Sequence, residues 1–428
     1  MKKQYDRLLE KYLKDLLADL PAVAIDGLKG VGKTVSASRI ANTVYKLDRE
    51  SDFLLISNDP GKLSSSKTPV LIDEWQKIPK IWDYVRRDVD DRRDDCAYLL
   101  TGSISAKNLD VHSGAGRIAR LRMFPLSLEE RGLARKTVSL ETLLDQREAF
   151  STPIQGQTTV SFGDYIEEMA VSGLPGMRIA NERRRKLAFD SYLNNLLTHD
   201  FEQEGIRIRQ PEALKRWLSA YAAAVSTSAK YEEILDAATP REGNKPAIKT
   251  TIAYREALER MWLIDELPIW TDGADFCSRM KKAPKHYLAD PAFAIHLLGL
   301  RVDMLNGSDR KHAPDSRFDE KYGNIIGRLF EAFIFQSLRV YAGICDANLY
   351  HFQTLKGDRE IDFILSRGRD TVAIEVKTAP FISDHDVRHL LWLKSRANLS
   401  DAVIITTGPL AYRRPDGIAV VPASLLGA

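Results

Sequence analysis

The sequence predicts an α/β protein of several domains, and three features lead to that reading. Over residues 1–130, continuous apolar runs alternate with helix-like stretches, the pattern of parallel strands buried on both faces. The middle of the chain is charged and helical in pattern, and residues 320–428 return to strands and helices in alternation. At roughly 100–200 residues per domain, a chain of 428 residues suits about two to four such units.

The elements follow in order. The first stretch, MKKQYDRLLEKYLKDLLADL, is charged throughout, which argues against a secretory signal. Its spaced leucines predict an amphipathic helix. AVAID (Ala22–Asp26) reads as a strand running into glycines, followed by a helix to about Tyr45. DFLLIS (Asp52–Ser57), PVLIDE (Pro69–Glu74) and AYLLTGS (Ala97–Ser103) read as buried strands, and RLRMFPLSL adds one more, ended by Pro125. Residues 131–205 predict a helical lid or linker, with ERRRKLAFDSYLNNLLTHD as its amphipathic helix. Residues 206–305 show three helix patterns, then the strand-like IDELPIW, a basic loop and KHYLADPAFAIHLL. Three helices followed by a β wing is winged-helix order. The polar GSDRKHAPDSRFDEKYG marks a boundary, after which residues 320–428 form the last unit.

Composition narrows the function classes. The chain is 44% hydrophobic and 28% charged, as soluble globular proteins are. Its apolar runs fall short of the roughly 20 residues a membrane span needs, so a cytoplasmic location and no membrane partner are expected. Cys96, Cys277 and Cys345 are far apart and form no C-x-x-C pair, which suggests neither a zinc site nor a disulfide framework. A net charge of +3 does not by itself imply nucleic acid. The basic run Arg183–Lys186 and the pair Lys281–Lys282 read as solvated faces, while Lys230, Lys245 and Lys249 around the middle helices suit phosphate contacts.

Gly27 to Thr34, GLKGVGKT, matches G-x-x-x-x-G-K-[ST]. Gly27, Gly30 and Gly32 let the backbone turn several N–H groups inward. Those groups make an anion nest at a helix N-terminus. Lys33 would reach the β- and γ-phosphates of ATP, and the Thr34 hydroxyl would ligate Mg²⁺. The loop follows an expected strand and opens an expected helix, the context the motif requires. PVLIDE sets Asp73 and Glu74 at a strand end, where ligands bind in open parallel sheets. Asp73 would hold Mg²⁺ and Glu74 would act as general base on the attacking water. LLTGS ends another strand, so Thr101 and Ser103 offer hydroxyls to the γ-phosphate or the water. Arg117 in SGAGR would point into a neighbouring copy's nucleotide. A plain surface arginine fits equally, and Arg120 and Arg122 are rivals for the role.

In this order GLKGVGKT, LIDEWQKIP, LLTGS, GAGR and PLSLEER resemble a AAA+ ATPase, and more narrowly a large family of prokaryotic ATPases. Leu28 and Lys29 stand where that family usually has Pro-Arg, a departure that leaves the phosphate-binding residues untouched. The resemblance implies a C-terminal region often likened to restriction-endonuclease folds.

The C-terminal stretch REIDFILSRGRDTVAIEVKTAP reads as two strands joined by a turn. Asp362 starts the first. Glu375 and Lys377, two apart on the second, share a face, and Asp362 and Glu375 can meet across the hairpin. Such carboxylates suit Mg²⁺, a hard ion, and a lysine there would stabilise the attacking hydroxide. This D…E-x-K spacing resembles the PD-(D/E)XK nuclease superfamily. Glu331, on an otherwise apolar helix, would be costly to bury without a partner or metal. A solvated helix face explains Glu331, and a solvated hairpin the rest, on simpler terms.

Two functions follow. One is ATP hydrolysis coupled to a nucleic-acid-binding, Mg²⁺-dependent nuclease-like domain. The other is a nucleotide-dependent switch whose C-terminal domain is a non-cleaving docking module. The expected partners are ATP, DNA or another nucleic acid, and a second copy of the chain or another protein.

Overall fold

A computed structural model describes residues 4–92, 97–102, 116–145, 147, 150–179, 181–203, 205–206, 208, 210–239, 248–271, 283–306, 324–354 and 356–428. After the helix Leu8–Asp19, the first α/β unit contains β1 (Ala22–Asp26), β2 (Thr43–Lys46), β3 (Val70–Asp73), β4 (Tyr98–Thr101) and β5 (Ala119–Arg122). They form a parallel sheet in the order β2-β3-β4-β1-β5. One strand, β4, therefore separates the strand leading to the glycine loop from the strand ending in Asp73.

Two local expectations fail here. The helix after the glycine loop stops at Ser38 rather than near Tyr45, and the strand β2 takes Thr43–Lys46. The run expected as a strand at Asp52–Ser57 lies in the helix Glu50–Asn58. β2 is an edge strand, half-buried along its length, so it lacks a continuous apolar signature. Its β-branched and aromatic residues Thr43, Val44 and Tyr45 still favour extended backbone. In the helix, Glu50 and Asp52 occupy the first turn, where the helix dipole favours negative charge. Ile56 is buried while Leu54 and Leu55 are exposed, the one-sided burial of a surface helix.

Residues 131–205 add β6 (Val138–Ser139), β7 (Gln155–Gln157) and the helix Phe162–Val171 to the expected helix Glu182–Asn195. The latter runs through a π-type turn, Leu196–Asp200, into Phe201–Gln203. Next come the helices Pro211–Ala223, Tyr231–Ala237 and Ile248–Arg260, then β8 (Ile264–Leu267) paired antiparallel with β9 (Lys285–Leu288). The helices Pro291–Leu297 and Val302–Leu305 follow.

The last unit opens on the helix Asn324–Ile344 and contains β10 (Asn348–Gln353), β11 (Glu360–Arg367), β12 (Asp370–Val376), β13 (Asp401–Thr406), β14 (Leu410–Arg413), β15 (Ala419–Pro422) and β16 (Leu426–Gly427). The helix Arg388–Lys394 connects β12 to β13. Its mixed sheet runs β10-β11-β12-β13-β15-β14-β7, and β16 pairs with β6. β6 and β7 thus come from the segment expected to be helical. Their apolar content is too small to show as strand periodicity.

Side-chain alternation builds the layers. On β1, Val23 and Ile25 face a core shared with the helices, while Ala22 and Ala24 face a smaller core with Ile72 and Trp82. On β12, Val372 and Ile374 face the same shared core, and Ala373 faces the opposite side. One continuous core therefore joins one face of each sheet to the helices. Polar rivets cross it. The Arg122 guanidinium lies 4.5 Å from the ring centres of both Phe124 and Trp262, and reaches Asp265 at 3.1 Å. Asp265 also accepts from Arg339 of the last unit at 2.8 Å.

Candidate functional site

The glycine loop leaves β1 at Gly27, whose φ is +143°. A Cβ there would sit 2.3 Å from the Met123 carbonyl oxygen, so only glycine lets the loop pass β5. Gly30 and Gly32 also have positive φ, and the helix Lys33–Ser38 begins directly after Gly32. The buried Lys33 ammonium donates to the carbonyls of Gly27 at 2.6 Å and Leu28 at 3.2 Å. Burial pushes its pKa down to about 8, against the opposing charges of Glu74, Asp26 and Asp73.

The parallel register sets Asp73 beside Thr101. Asp73 Oδ1 accepts from the hydroxyls of Thr101 at 2.6 Å and Thr34 at 2.8 Å. Thr34 and Asp73 thus present a hydroxyl and a carboxylate oxygen side by side. This hard-oxygen pair fits Mg²⁺, with water and phosphate completing the shell. Glu74 follows in the left-handed region at φ 55°, ψ 42°, an uncommon backbone for a non-glycine residue that clusters at functional positions. The Gln76 amide donates to the Glu74 carboxylate.

The sheet therefore gathers Gly27, Gly30, Gly32, Lys33, Thr34, Asp73, Glu74 and Thr101 at the C-terminal ends of its inner strands. Ser103 lies outside the described residues. Arg117 pairs with Asp90 at 2.8 Å and is half-exposed. Its rivals are engaged within the chain, Arg120 with Asp26 at 2.6 Å and Arg122 with Asp265.

Three contributors were not legible in the sequence. Buried Arg7 donates to Val31 O in the loop at 2.8 Å, to Phe124 O at 2.6 Å and to Glu130 at 2.9 Å. Nothing separates it from the other basic residues of its segment until the fold is known. Gly102 gives the Gln76 side chain room beside the strand end, since a Cβ there would crowd Gln76 Oε1. Lys29 is held by Asp200 at 2.9 Å, and its carbonyl accepts from Tyr192 at 3.1 Å. The helix Glu182–Asn195 and its extension thus touch the phosphate loop.

At the other end of the chain, Glu331, Asp362, Glu375 and Lys377 do converge, but around a second lysine. Lys285, at the start of β9, places its ammonium 2.7 Å from Glu360, 3.0 Å from Glu331 and 3.2 Å from Asp362. Its side chain is 2% exposed. Glu331 Oε1 also accepts from Tyr287 at 2.5 Å, Asp362 Oδ2 accepts from the Val376 N–H at 2.9 Å, and Lys377 donates to Glu375 at 3.1 Å. Burial works against the charge on Lys285, but Glu331 and Asp362 outweigh it and push its pKa well up. Burial raises Glu331 to about 7. Burial and the Asp362 carboxylate push Glu375 well above the usual range, whereas Lys285 and Lys377 together overcome burial and hold Asp362 below it.

With Glu331 Oε1 and both Asp362 oxygens engaged, these carboxylates do not fit a divalent ion while Lys285 is seated. Among the described residues no group of three His, Cys, Asp or Glu side chains is spaced to hold a metal. In the sequence Lys285 opens the apolar KHYLADPAFAIHLL and carries no signal of this role.

Comparison with known proteins divides the chain in three. Residues 19–132 match the AAA domain family, residues 163–303 a domain of unknown function (DUF8612), and residues 326–426 another domain of unknown function (DUF4143). No curated protein matches the chain. Among solved structures it is similar to Drosophila ORC bound to DNA, at 12% identity over 64% of this chain and 89% of that one, with a TM-score of 0.20. It is also similar to a Signal Transduction ATPase with Numerous Domains (STAND) protein with a tetratricopeptide repeat sensor from Pyrococcus horikoshii. There the identity is 14% over 80% of this chain, and the chain spans 54% of that protein, with a TM-score of 0.21. The AAA match spans the glycine loop and its carboxylates, so residues 19–132 are similar to AAA domains at the positions that build the site. No helix among the described residues is long and apolar enough to cross a membrane.

Proposed function

We propose that the chain binds and hydrolyses ATP at the C-terminal ends of the inner strands of its first sheet and acts as a nucleotide-dependent switch. The observation that carries this reading is the meeting of the Thr34 and Thr101 hydroxyls on Asp73, with Lys33 buried in the adjoining glycine loop and Glu74 next in the chain. In the described state Lys33 is folded onto the loop's own carbonyls. A triphosphate would take those donors, with the loop N–H groups cradling its β-phosphate. Thr34 and Asp73 would hold Mg²⁺, which supplies charge neutralisation on the phosphates when bound. Glu74 is the general base for the attacking water. Thr101 keeps Asp73 oriented. The loop's contacts with Arg7, Tyr192 and Asp200 support a mechanical readout, because a change in loop shape must move or break them. The domain division 1–130, 131–205, 206–305 and 320–428 belongs to the same proposal, with residues 138–157 extending the last unit.

The experiment is equilibrium binding and turnover of ATP by wild type and Lys33→Ala. The variant should bind about 10–100-fold more weakly and release no phosphate above background. Unchanged turnover would remove the assignment. The pH dependence gives a separate check. Phosphate binding needs charged Lys33, whose pKa lies at about 8 before nucleotide arrives. Above that pH a proton must be taken up on binding, so affinity should fall toward about tenfold per pH unit. A flat affinity up to the pH range of an ordinary lysine would contradict the buried, folded-back Lys33.

A second reading, Mg²⁺-dependent cleavage of nucleic acid by the last unit, is favoured by the convergence of Glu331, Asp362, Glu375 and Lys377. It requires Lys285 to leave its seat. Wild type and Lys285→Met would be incubated with DNA and RNA in Mg²⁺ or Mn²⁺. Cleavage abolished by Asp362→Ala supports the reading, and no cleavage by either protein leaves a non-cleaving docking module.

A further inference from the structure

A cavity of about 520 Å³ lies between the helix Glu182–Asn195 and the helices Pro291–Leu297 and Val302–Leu305, away from both sites above. Its volume is in the small-molecule range. Arg185 lines it, and this arginine is 6% exposed. A guanidinium carries five N–H donors, yet Arg185 Nη1 donates only to the Ile179 carbonyl, at 3.2 Å. Among the described residues it has no carboxylate partner. A nearly buried charge without a counter-ion is unfavourable, and Arg185 lines this cavity.

The other lining charges do not cancel that charge. Lys186 is paired with Asp190 at 2.8 Å, and Arg301 with Asp303. Arg183 and Glu182, of opposite charge, stand exposed on the first turn of the helix. The apolar side of the cavity is built from Phe189, Ile295 and Leu300, with Phe189 stacked on His296 at 5.2 Å between ring centres. A lone buried cation facing an apolar and aromatic wall is complementary to an amphipathic anion.

We infer that this cavity is a binding site for a small anion with an apolar or aromatic body, a phosphate monoester or a carboxylate, whose charged group meets Arg185. The body packs on Phe189, Ile295 and Leu300. The same helix donates from Tyr192 to the phosphate loop, so the occupant sits on an element that also contacts the nucleotide site.

The test uses the full chain without nucleotide, so its outcome is independent of the ATPase reading. Phenyl phosphate and phenylacetate are titrated separately by calorimetry into wild type, Arg185→Gln, Leu300→Trp and Arg184→Gln. Arg184 lies on the same helix but does not line the cavity, and Leu300→Trp fills the cavity from its half-buried wall. Saturable binding of one probe molecule per chain is expected. It should weaken about tenfold or more in Arg185→Gln and Leu300→Trp, and stay unchanged in Arg184→Gln. The preferred probe distinguishes a phosphate from a carboxylate ligand. Should Arg185→Gln fail to fold, Leu300→Trp decides alone. Absence of saturable binding by either probe, or equal binding in all four proteins, overturns the inference.

Discussion

Glu74→Gln should lower ATP turnover by about 10²–10⁴-fold while leaving ATP bound within a few-fold of wild type. The prediction rests on position. Asp73, the last residue of β3, turns inward to Thr34 and Thr101. Glu74, one residue later, leaves the strand through a left-handed backbone. The chain thereby separates two adjacent carboxylates into two roles, one bonded to the Thr34 and Thr101 hydroxyls and one held by the Gln76 amide. Glutamine has nearly the same shape and can still accept from Gln76, so the local turn should survive. It cannot take a proton from water. Phosphate release and equilibrium nucleotide binding, measured on the same preparation, separate the outcomes. Equal losses in both would place Glu74 in binding rather than in chemistry.

Lys285→Ala should destabilise the protein by about 3–5 kcal/mol, the usual effect of removing one partner of a buried ion pair. Its ammonium is the shared counter-ion of Glu331, Glu360 and Asp362, and without it Glu331 and Asp362 are left buried against each other. The loss should depend on pH with a definite sign. Glu331 already has its pKa raised to about 7, from 4.5. Its protonated form is therefore favoured in the folded state, and its contribution to stability is present below pH 4.5 and lost as pH rises through about 7. Removing Lys285 deepens that loss, so denaturant unfolding should show a larger deficit at pH 8 than at pH 5. Lys285→Met combined with Glu331→Gln should recover part of the stability, because the two positions are coupled. A neutral Lys285→Ala would mean the carboxylates are solvated and the ion pair is incidental.

The two sites were unequally legible in the sequence. The phosphate loop is local: eight consecutive residues carry the glycines, the lysine and the hydroxyl, and the adjoining strand and helix supply the required context. Asp73 was readable because the strand it ends is wholly buried, so its run is continuous. β2 was missed for the opposite reason, since an edge strand exposes half of each residue and leaves no apolar run. The residues 52–57 show the converse error, as a short apolar run does not separate strand from helix. Arg7, Gly102 and Lys285 were invisible because each works through a partner distant in sequence. At the last unit the spacing of Asp362, Glu375 and Lys377 correctly signalled a meeting of charges. What it could not signal was the fourth charge, delivered from β9 on another part of the chain.

Isothermal titration of ATP into the full-length protein in the presence of Mg²⁺ is the most direct measurement of the central claim. One nucleotide bound per chain in wild type, with affinity about 10–100-fold weaker in Lys33→Ala, is the predicted result. No saturable binding of ATP to wild type would contradict it.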